Sequence, residues 1–276
     1  MNIKQKISIS IFLIIFLLIL ASSSILNSRV FAQNIDSPPQ TVPRTVLVEL
    51  FIQEGCPRCP TAEFCLEDLA WGYGIKKVIL VEEQLWGDGY DTAETNARYD
   101  WYVGINSNQK GTPDVFINGL SRRLQGLACD CAEGNYNCYK EAIDKELTQP
   151  PLVELSAVKT PHPNPLPQGE KEEEKVLNII IEGTVKNISD SFLKDLAVCG
   201  IVSKEKDESG LYCYAQDILP FQDIPLLLPD DTFNFEFTSE ILFEQKEEDK
   251  NKLHTIIFVQ NLKNKEVLQA FYIEGD

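Results

Sequence analysis

Cys56 and Cys59 are separated only by Pro57-Arg58. Two thiols at this spacing on the first turn of a helix can make and break a disulfide. The helix N-terminus offers unsatisfied N–H groups and the positive end of the peptide dipole, and both favour thiolate over thiol. Cys56, the outer sulfur, is expected to be the attacking nucleophile. Cys59, one turn deeper, is the resolving thiol that breaks the mixed disulfide. Arg58 adds positive charge nearby. The same spacing would serve half a zinc site or a short structural bridge, but a second Cys-x-x-Cys is missing. Pro60 follows Cys59 where covalent haem attachment requires histidine, which excludes that cofactor.

The surrounding pattern supplies elements to hold the pair. Val46–Phe51 is a near-continuous apolar run, as expected of a central strand covered on both faces. From Pro57 onward, Ala62, Cys65, Leu66, Leu69 and Ala70 recur at three and four, which predicts an amphipathic helix with proline in its first turn. Lys77–Glu82 is a second strand, parallel to the first because the crossover is long. A helix follows from Thr92 to Val103. Then comes a hairpin of Asp114–Ile117 and Ser121–Leu124 around Asn118-Gly119, and a last helix over Tyr139–Leu147. A carboxylate on the first strand, Glu49, is costly unless used or paired, or unless it reaches water near the strand end. Cys65 lies on the apolar stripe of its helix and is expected to be buried. With Cys129, Cys131 and Cys138 it makes a group whose three possible disulfide connectivities sequence does not separate. No metal site is expected, because thiol ligands in an oxidising compartment favour bridges.

Residues 45–148 resemble the thioredoxin superfamily. The motif Val48-Glu49-Leu50-Phe51 with Gly55-Cys56-x-x-Cys59-Pro60-x-Ala62-Glu63 is similar to exported members of largely unassigned function, some described as outer-membrane proteins. Gly55 stands where thioredoxin has tryptophan, and Pro60 follows the second cysteine. The resemblance implies thiol–disulfide oxidoreductase activity on protein thiols or disulfides, with a membrane redox partner possible. It implies that Thr112 and a cis Pro113 face the cysteines and bind an extended substrate. It also implies that Glu49 shuttles a proton to Cys59, against the alternative that Glu49 simply reaches water.

The remaining composition bounds location and partners. Lys4 and Lys6, an apolar run from Ile7 to Ala21 and Val30-x-Ala32 have the order of a secretory signal peptide over residues 1–32. The apolar part is shorter than the ~20 residues of a spanning helix, so no membrane span is expected after cleavage and the protein is expected in the periplasm or outside the cell. A formal charge of −17 argues against nucleic acid as a partner. Residues 161–175, rich in proline and charge, are expected to be a disordered insert containing His162. After it the period changes to two, with alternation at Leu177–Val185 and Phe233–Phe237. This predicts an immunoglobulin-like sandwich over residues 151–276, with a structural Cys199–Cys213 disulfide across a hairpin and His254 as a structural residue. The expected fold is thus an α/β thioredoxin-like domain followed by an all-β immunoglobulin-like sandwich. The expected function is an exported thiol–disulfide oxidoreductase without a cofactor. The alternatives are a non-catalytic secreted binding module stapled by Cys56–Cys59, and a thiol-based metal carrier.

Overall fold

The computed structural model describes residues 42–87, 90–126, 137–162, 175–205, 213–243 and 253–273. The expected signal segment, most of the 161–175 insert, Cys129 and Cys131 lie outside the described residues. The ends of that insert, Pro161-His162 and Lys175, belong to strands.

Three helices and eleven strands make up the described chain. Strand β1 (Val46–Ile52) runs into helix α1 (Cys59–Tyr73), which returns to β2 (Val78–Gln84). Strand β1 pairs with β2 in parallel, Val46 opposite Val78. Helix α2 (Ala93–Val103) begins with Thr92 as its cap, where the Thr92 and Thr95 side chains satisfy each other's backbone N–H groups. Strands β3 (Asp114–Ile117) and β4 (Arg122–Gln125) form the hairpin, and α3 (Asn137–Leu147) follows. Ile117 pairs with Arg122, so the connection is four residues rather than the expected two. Asn118 and Gly119 still supply the positive φ, 48° and 64°, that the turn requires.

The later strands are β5 (Val153–His162), β6 (Lys175–Asn187), β7 (Leu196–Glu205), β8 (Cys213–Ile224), β9 (Thr232–Phe243), β10 (Leu253–Asn261) and β11 (Val267–Ile273). They do not form a separate sandwich. One mixed sheet of eight strands runs in the order β11-β10-β7-β8-β2-β1-β3-β4, and β5-β6-β9 form a smaller antiparallel sheet. The join is a short parallel pairing of β2 with β8, Val81 opposite Cys213 and Glu82 opposite Tyr214. The described residues from Pro43 onward belong to one compact unit. The expectation of an α/β thioredoxin-like domain followed by an immunoglobulin-like sandwich is therefore corrected: the fold is mostly β, and strands from both halves of the sequence share one sheet. The physical reason is burial. Strand β1 is apolar on both faces, and α1 and α3 cover only one of them. Its other face, with Leu47, packs against Ile256, Phe258 and Ala270 from the C-terminal strands. A second core, including Val198, Val202 and Ile257, lies between the other face of those strands and the small sheet.

The connection between β3 and β4 also closes onto the start of β11. Gly119 bridges Glu266, Leu120 N–H donates to Lys265 O at 3.1 Å, and Val267 N–H donates to Asn118 O at 3.0 Å. A Cβ on Gly119 would lie 2.0 Å from Lys265 O, and the φ of +64° already disfavours other residues. Gly119→Ala is expected to destabilise the protein by on the order of 3 kcal/mol in urea unfolding. A loss below roughly 1 kcal/mol would show that this closure contributes little.

Candidate functional site

The Cys56–Cys59 pair sits where β1 ends. Gln53–Gly55 turn the chain, with Gly55 at φ +76°, and α1 begins at Cys59. The two cysteines form a disulfide with Cα atoms 5.5 Å apart. The start of α1 has no side-chain cap. Instead the Cys59 N–H donates to Cys56 Sγ at 3.2 Å, a contact that would also favour a thiolate there. Cys56 is half-buried and Cys59 is 3% exposed, so Cys56 is the more accessible of the two cysteines.

The antiparallel register of β1 with β3 puts Phe51 opposite Asp114. Thr112 and Pro113 therefore lie level with the end of β1, at the same edge of the sheet as the cysteine turn. The Thr112–Pro113 bond is cis. Around it, Tyr99 Oη donates to Asp114 Oδ2 at 2.8 Å, and Arg123 pairs with the same carboxylate at 2.6 Å.

Glu49 is not part of this site. Strand residues alternate between faces, and Val48 and Leu50 pack with Cys59 and α1, so Glu49 points to the opposite face. It does not reach water either, being fully buried. Arg98 of α2 pairs with Glu49 Oε1 through Nε, and Tyr102 Oη donates to Glu49 Oε2 at 2.7 Å. Arg98 Nη2 donates to Tyr102 Oη at 2.8 Å, and Gln260 Nε2 of β10 donates to the same oxygen at 2.8 Å. Glu83, also fully buried, places Oε1 3.8 Å from Arg98 Nε. Burial, and next the neighbouring Glu49 carboxylate, hold the Glu83 carboxyl well above the usual carboxylate range, with Arg98 opposing. The buried carboxylate that alternates onto the cysteine face is Glu82, in step with Val78 and Leu80. Sequence reasoning missed Arg98 and Tyr102. The signal was present: Thr95, Arg98, Tyr99 and Tyr102 recur at three and four and are the buried face of α2.

The expected Cys199–Cys213 bridge is corrected. Glu205, not Cys199, stands opposite Cys213, and Cys199 lies six residues further along β7. That is roughly 20 Å of strand, beyond the ~7 Å Cα limit of a disulfide. The hairpin is centred several residues later than the midpoint of the two cysteines. Cys199 is a free, buried thiol, and burial pushes its pKa up to about 12. Cys65 and Cys138 are each disulfide-bonded. His254 is buried, with Nε2 2.7 Å from Glu205 Oε1 and its ring stacked on Tyr272. Among the described residues no cluster could hold a metal ion, and no helix is long and apolar enough to cross a membrane.

No protein-family model and no curated protein matches this sequence. Among solved structures, HBP35 of Porphyromonas gingivalis is similar at 18% identity and a TM-score of 0.51, covering 85% of this chain and 76% of its own. A domain of the outer membrane lipoprotein Omp28 from the same organism gives 10% identity, 46% and 89% coverage and a TM-score of 0.31. A β-glucuronidase 2 variant of Bacteroides uniformis gives 15%, 44% and 12%, and 0.29. The likeness to HBP35 spans both halves of the chain, so it concerns the whole strand-dominated architecture. The resemblance to the thioredoxin superfamily, drawn from one segment, is corrected accordingly.

The Glu83 environment has a consequence for stability. An unfolded glutamate titrates near ~4.3, whereas folded Glu83 keeps its proton to higher pH. Its contribution is therefore fully present below ~4.3 and is lost as pH rises through the folded value. Glu83→Gln, which stays neutral, is expected to flatten the fall of thermal midpoint between acidic and neutral pH. Parallel midpoint profiles for the two proteins would show that Glu83 ionises normally.

Proposed function

We propose that the protein exchanges thiols and disulfides through Cys56, with protein thiols or disulfides as substrates. The observation that carries this reading is the asymmetry of the pair: a half-buried Cys56 whose sulfur accepts the Cys59 N–H, bonded to a buried Cys59. A substrate thiolate would attack Cys56 Sγ and break its bond to Cys59, which leaves as a thiolate. A second substrate thiolate then attacks the substrate sulfur of the mixed disulfide and releases Cys56, so that the substrate is oxidised and the pair reduced. The reverse sequence transfers the disulfide the other way. Thr112 and Pro113, at the same sheet edge, would flank an extended substrate segment. Glu49 takes no part. Export, expected from residues 1–32, belongs to the same proposal, and the further disulfides at Cys65 and Cys138 favour an oxidising compartment.

Single variants test the assignment. Cys56→Ser and Cys59→Ser are both expected to abolish turnover of a model disulfide, and only Cys59→Ser to accumulate mixed disulfides. Equal trapping by both would overturn the roles. A reduction potential below about −300 mV would make the pair a structural staple instead.

A further inference from the structure

Beside α2, on the sheet face away from the cysteine pair, a cavity of about 270 Å³ opens between that helix and strands β7, β8 and β10. We propose that it binds a small, uncharged aromatic molecule carrying a hydrogen-bond acceptor such as a carbonyl. Its volume falls just below the range of about 300–1,000 Å³ spanned by ligand sites, and its form is theirs: apolar walls with a few convergent polar groups. Ile218, Leu219 and Leu262 supply the walls, and Phe221, 57% exposed, stands at the rim. The inner end is polar and buried, formed by Arg98, Gln260 and the Cys199 thiol.

Charge selects the occupant. Arg98 is already neutralised by Glu49, and Glu94 of α2 also lines the cavity, so an entering anion would meet two carboxylates for one guanidinium. A cation would meet the guanidinium itself. A neutral acceptor is the group this end can use. Arg98 has five N–H donors, and both Nη atoms share the single Gln260 Oε1 at 3.4 Å, a long contact, while Nη2 also serves Tyr102. Donor capacity therefore remains on the buried guanidinium. Trp101 adds an aromatic side chain to these apolar walls, and together they suit an aromatic body.

The probe is Prodan, an uncharged naphthyl ketone whose emission shifts to the blue on leaving water, added to the full chain with its disulfides intact. Saturable binding with a blue shift is expected, tighter than that of anionic anilinonaphthalene sulfonate. Ala97 lines the mouth from an exposed position on α2, so substitutions there leave the core alone. Ala97→Trp should weaken Prodan at least tenfold, whereas Ala97→Gln should keep affinity close to that of the parent. Cys56→Ser should bind Prodan unchanged, which separates this site from thiol exchange. Non-saturable binding, undiminished affinity in Ala97→Trp, or preference for the anionic dye would overturn the proposal.

Discussion

The buried ion pair between Arg98 and Glu49 is the constraint on which the arrangement of the sheet depends. Two charges removed from water are tolerated only when each is paired and its remaining hydrogen-bonding capacity is met. Here the partners come from four elements: Glu49 from β1, Glu83 from β2, Arg98 and Tyr102 from α2, and Gln260 from β10. Losing Glu49 or Arg98 leaves the other charge unpaired in an apolar interior, where breaking such a pair costs about 3–5 kcal/mol. Gln260 is the link between halves of the chain, since its amide reaches Tyr102 Oη and also Lys265 O. Aromatic and cationic contacts complete the enclosure, with the Arg98 guanidinium 4.9 Å from the ring centres of both Tyr102 and Phe258.

This network explains why the C-terminal strands are not an independent domain. Strand β1 presents one face to α1 and α3 and the other to a core that it cannot fill with its own half of the sequence. Phe258 and Gln260 alternate with Val259 along β10, so that strand sends one set of side chains to Arg98 and the other toward the small sheet. The segment before β1 is held in the same way: Thr45 N–H donates to Gln269 Oε1, and Gln269 Nε2 donates to Pro43 O, both at 2.9 Å. Two faces of one sheet thereby acquire different chemistry. The disulfide lies at the helix-covered face, and the guanidinium with its cavity lies on the other.

The local chemistry of the cysteine turn depends much less on these distant strands. Cys59 N–H, Gly55 and the first turn of α1 are set by a few consecutive residues, and the neighbouring Thr112–Pro113 segment is set by the β1–β3 register. A free thiol at Cys199, deep in the other face, is kept from this chemistry by burial that holds it in the thiol form.

Sequence by itself determined the elements and the cysteine turn, because these follow from short-range periodicity. The apolar run of β1, the three-and-four spacing of α1, the Thr92 start of α2 and the positive φ of Asn118-Gly119 are all local properties. It also showed that a carboxylate at Glu49 had to be paired or used, without naming its partner. Tertiary structure alone decided that the partner is Arg98, 49 residues away, and that Gln260 joins them from 162 residues away. It decided too that β8 adds to β2, which makes one sheet of what periodicity divides into two domains. The register of β7 against β8, with Glu205 opposite Cys213, decided that Cys199 and Cys213 do not meet. Strand partners and registers are long-range choices governed by which faces need covering, and a linear pattern records that a face is apolar without recording what covers it.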